Sequence, residues 1–516
     1  MIDTKALRQK ILDMAIRGKL VPQNPNDEPA SVLLERIRAE KQQLIKEGKI
    51  KKDKNDSVIF KGDDNRYYEK VGSEVKDITD ELPFEIPDNW VWTRFSTLIR
   101  IISGVSYDKN DVATKGIRIL RGGNINDLRV TPFSDDVYLP ETYYDPDKQV
   151  QIDDVLIVAS TGSKEVIGKA GYVIEPLENT QIGAFLRIVR PLLKWYAPYV
   201  KLIFATEYYR EHIRHLSGGT NINNIKADYI NAFLISLPPY AEQIRIAERI
   251  NSLFEQIDII EQNQADIDTL YDEFRKRTLT LAIQGKLVPQ DSNDEPASVL
   301  LERIRAEKKA KLGKKYVDSY IYKSDDNCYY EKVKDSVKEI SAEIPFDVPE
   351  SWQWIRIDNL FQHNTGKALN SSNTKGILHP YITTSNVYWG HFCLDCVKEM
   401  PFTEDEFSKC SIVPGDLLVC EGGDVGRAAI WEKDIPMCIQ NHIHRLRAYY
   451  PVCTQFYYFA FFVYKSIGLI GGKGIGIQGL SSGALGKLIF PLPPLAEQER
   501  IVKQVRIILE KLKDED

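Results

Sequence analysis

The segment Gly18 to Lys41 occurs a second time at Gly285 to Lys308, with Asn24 and Pro25 replaced by Asp291 and Ser292 and nothing else changed. A chain that repeats itself so closely must build two halves on one frame. Two shorter repeats have the same implication. Pro83 to Trp90 returns as Pro345 to Trp352, with its prolines and tryptophan kept, and Leu237 to Gln243 returns as Leu492 to Gln498. After Leu237-Pro238-Pro239 no Gly or Pro appears until Gly285. Within that run Ile246, Ile250, Leu253, Ile257, Ile260, Gln264, Ile267, Tyr271, Phe274, Thr278 and Leu281 fall at alternating steps of four and three. That spacing is a heptad seam and predicts a long coiled-coil helix from Ala241 to Gln284, about 66 Å at 1.5 Å per residue. A lone helix cannot bury its own stripe, so a mate is required.

The repeats say where the mate lies. The C-terminal copy sits 255 residues after the central one (492 − 237), and Ile501, Val505, Ile508 and Leu512 reproduce Ile246, Ile250, Leu253 and Ile257. The N-terminal copy sits 267 residues before it (285 − 18), and Leu7, Ile11 and Met14 continue the same seam. The two ends of the chain are therefore expected to rebuild a second, antiparallel helix, with about six positions missing between them. The expected fold is α+β: two globular domains of mixed α and β structure, separated by two long antiparallel coiled-coil spacer helices, in a pseudo-twofold, circularly permuted repeat.

The 516 residues are 43% hydrophobic and 28% charged, as in an ordinary globular protein. No apolar run approaches the ~18 residues of a membrane span, and the N-terminus is polar, so a cytoplasmic location is expected. All seven Cys lie in the second half without regular spacing, which fits a reducing compartment better than a disulfide framework. The net charge is −6, and neither half holds a basic domain: 85–236 carries 17 Lys+Arg against 18 Asp+Glu, and 345–490 carries 12 against 13. A nucleic-acid binder of this composition must cluster its cations on one face or borrow phosphate contacts from partners.

Along the chain, the pattern predicts segments 1–48 (N-terminal helices, repeated further on), 49–80 (linker), 81–237 (first globular domain), 238–310 (central spacer), 311–342 (linker), 343–492 (second globular domain) and 493–516 (C-terminal spacer fragment). Lys49 to Asp64 is polar and lysine-rich and reads as a loop or mobile linker. Short β-like runs follow at Ile117–Leu120, Val155–Ala159, Gly171–Ile174 and Phe185–Val189, then a helix at Tyr196–Leu216, a loop rich in Gly and Asn, and a last strand at Phe233–Leu237. The second half replays the order, with Ile382–Asn386, Asp416–Val419, Gly426–Ile430 and Ile443–Arg447 as strands or turns and Phe456–Leu469 as the helix.

Catalytic motifs are mostly missing. There is no Gly-Lys-Ser/Thr, and no Asn/Asp-Pro-Pro-Tyr/Phe of the kind amino-methyltransferases use. Gly474 to Gly479 matches GxGxxG but follows a helix rather than a strand, and its counterpart at Gly219 lacks the pattern. Cys393-Leu394-Asp395-Cys396, with His391, Cys438, His442 and His444, is too loosely spaced to argue for zinc over metal-free packing. No metal site is expected.

Taken together, the motifs resemble one family. Lys10 to Gln23, the Pro-Phe-x-Ile/Val-Pro-x-x-Trp runs at 83–90 and 345–352, and the Leu-Pro-Pro-x-Ala-Glu-Gln runs at 237–243 and 492–498 look like those of the DNA specificity (S) subunit of type I restriction-modification systems. The resemblance covers essentially the whole chain. It implies a subunit without catalytic chemistry of its own, whose two recognition domains each read half of an asymmetric, bipartite duplex DNA site while the helices set the gap. It also implies partners: two methyltransferase (M) subunits that modify adenine with S-adenosylmethionine, and restriction/motor (R) subunits that use ATP and Mg. Two alternatives stay open from the residues alone, a self-contained DNA methyltransferase or nuclease and a coiled-coil scaffold that binds only protein.

Base edges are read by Arg, Lys, Asn, Gln, Ser and Thr presented from loops on a rigid scaffold. The candidates in the first domain are Arg121, Asn124, Thr161, Ser163, Lys164, Thr220, Asn221, Asn223 and Asn224. In the second they are Thr383, Thr384, Ser385, Asn386, Asp424, Arg427, Lys473 and Gln478. Each such position has a plain alternative as a solvated loop residue, and the glycines among them as simple turns.

Overall fold

The run without Gly or Pro forms a single helix, Tyr240–Ile283. The computed structural model describes residues 2–50, 56–163, 165–216, 223–369, 375–471 and 480–512, and the chain divides into two compact units, 1–264 and 265–516.

In the first unit the helix Thr4–Ile16, capped by the Asp3 carboxylate on the Ala6 amide, runs antiparallel to the first half of the central helix. Ile11, Leu12 and Ala15 bury with Ile246, Ile250 and Ile257. Arg8 reaches Asp258 and Glu261, and Gln264 donates to the Ile2 carbonyl, so low numbers on one helix meet high numbers on the other. In the second unit Leu279, Ala282 and Ile283 share a core with Ile501 and Val505 of the helix Leu495–Lys511, while Leu512 lines a groove with Ile267, Tyr271 and Phe274. That pairing is antiparallel too. Leu253, Ile260, Ile508 and Leu512 are half-buried.

The seam is interrupted where sequence spacing predicts continuity. Leu7, Ile267 and Phe274 are exposed, Ile267 by 52%, and Leu270 beside them by 63%. The heptad pattern records what a helix is able to bury. Among the described residues, Thr4–Ile16 packs against Ile246 to Ile257 in the first unit and Leu495–Lys511 against Leu279 to Ile283 in the second, while Ile267, Leu270 and Phe274 stay exposed.

Each unit joins its helices to its globular domain in the same way. Gly18 ends the first helix at φ +66°, where a Cβ would stand 2.5 Å from the Pro87 ring; Gly285 ends the central helix at φ +69°, with Pro349 at the same distance. The left-handed turn and the close approach both demand glycine. Arg245 pairs with Asp27 at 2.6 Å, and Arg500 with Asp294 at 2.6 Å.

The two expected linkers contain folded sheet. Ser57–Lys61, Tyr67–Val71 and Glu74–Asp77 form a three-stranded antiparallel sheet, matched by Ser319–Lys323, Tyr329–Val333 and Ser336–Glu339. Only one residue in two faces inward, Ile59 against Trp92 and Ile321 against Trp354, and the flanking lysines dilute so short an alternation. Glu69 and Glu331 clamp each sheet to its domain through Arg94 and Arg356.

The first globular domain holds a six-stranded sheet in the order Ile99–Ser103, Leu186–Pro191, Val155–Val158, Ala170–Tyr172, Leu128–Val130, Ile125–Asn126. Beside it lies a three-stranded sheet of Thr180–Ile182, Ile117–Leu120 and Val137–Leu139. The second domain has a four-stranded sheet (Phe361–Thr365, Ile443–Ala448, Leu417–Cys420, Ala428–Ile430) and a three-stranded one (Lys398–Phe402, Ile377–Ile382, Cys438–Ile439). The expected helix Tyr196–Leu216 is two, Ala197–Ala205 and Glu207–Leu216. Thr206 breaks it by turning extended, and its hydroxyl accepts from the Tyr209 amide as an N-cap does.

Candidate nucleic-acid interface

The interface is built on a hydrogen-bond frame that both domains share. Arg190 grips the fully buried Asp154 through two bonds of 2.7 Å, and Arg447 grips Asp416 at 2.7 and 2.6 Å. Burial, outweighing the Arg190 contacts, raises the Asp154 carboxyl above its ordinary range. The Val158 amide donates to Lys169 and the Gly168 amide returns to Val158; Cys420, Arg427 and Gly426 repeat the exchange. The Ala159 amide donates to the Phe185 carbonyl, and Glu421 to that of His442. These pairings align the two domains residue by residue, although their sequences differ.

The turn after the strand Ile117–Leu120 carries Arg121 and Asn124. The Asn124 side chain is only 2% exposed: its Oδ1 accepts from the Arg121 amide at 2.7 Å, and its Nδ2 donates to the Thr131 carbonyl and the Asp136 carboxylate. Asn386, 6% exposed, does the same work, accepting from the Thr383 amide at 2.9 Å and donating to the Cys393 carbonyl at 3.0 Å. Both asparagine side chains, expected as DNA contacts, are thus buried and engaged within the turn. Arg121 and Ser385 stand exposed on these turns and Thr384 half-exposed, whereas the Thr383 hydroxyl is engaged with Ser385 and Asn386.

Two other candidate segments come together. Ser160–Thr161 pairs antiparallel with Asn223–Asn224, which brings the loop after Val158 against the loop rich in Gly and Asn. The Ser163 backbone amide donates to the Thr161 hydroxyl at 3.3 Å, and Asn224 is exposed. Lys164, Thr220, Asn221, Lys473 and Gln478 lie outside the described residues, as does the GxGxxG run, and Asn223 is described in its backbone alone. In the second domain Arg427 donates to the Thr384 carbonyl at 2.7 Å and lies 5.5 Å from the Tyr388 ring, so it joins two candidate loops. Asp424 pairs with Lys465 at 3.1 Å, which offsets its repulsion of phosphate.

Lys169 escaped the sequence reading. It occupies the place of Arg427 and donates to Asn126 at 3.1 Å on the exposed surface. The signal was present, since Gly168-Lys169-Ala170 matches Gly426-Arg427-Ala428. Phe185 and His442 share a backbone position that residue type alone does not single out.

Among the described residues no group of His, Cys, Asp or Glu could hold a metal ion, and no helix is long and apolar enough to cross a membrane. The cysteines are free thiols, and burial pushes Cys438 up to about 12. His444 is spent on His363 at 2.8 Å and the Leu480 carbonyl at 2.6 Å.

Comparison with known proteins gives a consistent result. The family model for the type I restriction modification DNA specificity domain matches residues 87–269 and 349–514, more than half the chain. The specificity subunit of the type I restriction enzyme EcoAI from Escherichia coli is 27% identical over 560 residues, spanning 97% of this chain and 88% of that protein. That of EcoKI from Escherichia coli K12 is 30% identical over 43% of this chain and 48% of its own length. A solved structure described as bearing on complex assembly and conformational transition of the type I R-M system shares the fold, with a TM-score of 0.53 at 16% identity, covering 84% of this chain and 93% of that one.

Proposed function

The chain belongs to the type I restriction modification DNA specificity family, and from that premise we propose that it is the sequence-reading subunit of a type I restriction-modification complex. Each recognition domain reads one half of an asymmetric, bipartite DNA site. The observation that carries this reading is the shared frame. Backbone bonds at Val158 and Cys420, at Phe185 and His442, and at Asn124 and Asn386 coincide, while the side chains presented beside them differ. Two domains with one scaffold and different reading groups suit two different half-sites.

In this reading the segments 1–48, 238–310 and 493–516 are the spacer, and 81–237 and 343–492 are the readers. The two chain ends together form the second spacer helix, in a circularly permuted, pseudo-twofold arrangement. Arg121, Thr161, Ser163, Asn224, Thr384, Ser385 and Arg427, with the newly identified Lys169, approach base edges or phosphates. The near-neutral domains draw part of their phosphate attraction from partners. Those partners are methyltransferase subunits, two per chain, and motor-nuclease subunits, and they supply the S-adenosylmethionine, ATP and Mg chemistry. The chain performs no catalytic step itself and acts in the cytoplasm.

The experiment is a footprint of the chain with its methyltransferase partner on DNA. The expected result is protection of two short sequences separated by an unread gap. Inserting one heptad into the central helix should keep both half-sites and change the gap or abolish binding. Protection of one contiguous site would overturn the two-reader assignment.

A further inference from the structure

Phe185 is 70% exposed, more than any other large hydrophobic side chain among the described residues. Its backbone is held tightly all the same. The carbonyl accepts from the Ala159 amide at 2.8 Å and the Ser160 amide at 3.1 Å, and the Leu186 amide bonds Gly183 at 2.9 Å. Arg187 fastens the same corner by donating to the carbonyls of Ala184 and Leu186. Leu186 and Ile188 fill the core below it. The ring is therefore presented outward by a rigid strand corner, at the cost of leaving a large apolar surface in water.

The ring has polar neighbours of a particular kind. Ser160–Thr161, which pairs with Asn223–Asn224, is the next segment along the surface. In the second domain the same corner is closed by Glu421 bonding the His442 carbonyl at 2.9 Å and Ile443 bonding Gln440 at 3.0 Å. His442 replaces Phe185 there and stands 3.7 Å from Glu421, whose counterpart is Ala159. The backbone geometry is kept while an apolar pair is exchanged for a polar one. A position that varies chemically on an unvarying frame selects what it touches.

We propose that positions 185 and 442 are equivalent base-reading positions, and that Phe185 recognises the 5-methyl group of a thymine in the major groove of the first half-site. The assignment rests on the DNA-recognition reading above. Thymine alone among the bases offers an apolar group there, and an aromatic ring among hydrogen-bonding side chains suits it. His442 reads a polar edge at the corresponding place in the other half-site.

The test uses the full chain with its methyltransferase partner on duplexes carrying the mapped site. Each thymine is replaced in turn by deoxyuridine, which deletes only the methyl group. Wild-type protein should lose about fourfold in affinity at one thymine, the value of about one buried methyl group. Phe185→Ala should weaken binding to the specific site about tenfold, leave binding to an unrelated duplex and the thermal midpoint unchanged, and erase the sensitivity to that substitution. His442→Ala should retain it. The proposal is overturned if wild-type protein is indifferent to every deoxyuridine, if Phe185→Ala binds like wild type, or if it weakens specific and unrelated DNA alike, as an apolar wedge would. Absence of any wild-type binding to a split site would instead remove the underlying reading, and this assignment with it.

Discussion

The indole nitrogen of Trp90 donates to the buried carboxylate of Glu242 over 2.9 Å, and Trp352 does the same to Glu497 over 2.8 Å. Gln23 and Gln290 occupy the other carboxylate oxygens at 2.6 and 2.5 Å. Burial raises both carboxyls above their ordinary range, and these donors offset only part of the rise. Helix and globular domain meet at this bond. Trp90→Phe keeps the ring and removes the donor, so it should destabilise the first unit by about 1–3 kcal/mol, read as a lower urea midpoint with an unchanged slope. Combining it with Glu242→Gln should cost less than the sum of the two single changes.

The conformation at Gly18 and Gly285 makes a separate prediction. Alanine at either position needs a left-handed backbone and meets a proline ring at 2.5 Å. Each replacement should cost more than about 1 kcal/mol, whereas alanine at the exposed Gly48, which meets nothing within 4 Å, should cost only the backbone strain of its positive φ. Thermal midpoints of the three variants provide the check.

Asn124 and Arg121 should separate stability from recognition. Asn124→Ala breaks three hydrogen bonds of a buried side chain and should lower stability by about 1–3 kcal/mol along with DNA binding. Arg121→Ala should leave the midpoint within about 0.5 kcal/mol and still weaken binding to the specific site. Equal stability losses in the two variants would contradict the division of roles.

Burial pulls His363 down to about 4, with His444 and Arg445 adding repulsion, and burial lowers His444 as well. An unfolded histidine titrates near pH 6.5. Between about 6.5 and 4 the unfolded chain therefore takes up protons that the folded one refuses. Stability of the second unit should be complete above that window and decline as pH falls through it. His363→Gln should flatten the slope in urea titrations from pH 7 to 5.

The exposed stripe Ile267, Leu270 and Phe274 should serve association rather than folding. Replacing all three by Gln should leave the midpoint of the isolated chain nearly unchanged and abolish co-purification with the methyltransferase partner.

The helical frame was legible because heptad spacing and internal repetition are both long-range signals. Every predicted strand run in the first domain corresponds to a strand, within a few residues at its ends. The small sheets at 57–77 and 319–339 were not legible, since their inward positions alternate too briefly among lysines. Residue type singled out the candidate loops, of which Ser160–Thr161 pairs with Asn223–Asn224 and Arg427 bonds the Thr384 carbonyl. Asn124 and Asn386 look like base readers by residue type, and nothing short of the turn geometry reveals that their amides are already used. Phe185 was invisible for the opposite reason, since an apolar residue at a strand start reads as core.

The near-identity of 18–41 and 285–308 also bears on heredity. Both copies open on the same glycine turn and contain the Asp of the same Asp–Arg pair, and the same Trp–carboxylate bond lies outside each of them. A genetic crossover between them keeps the reading frame, deletes 267 residues (285 − 18), and leaves one complete socket for one globular domain. A crossover at the same place with an allele that carries the same joint residues would exchange whole domains and keep the joint's contacts. New pairings of half-sites then arise by reassortment, with no need for point mutations at the reading surface.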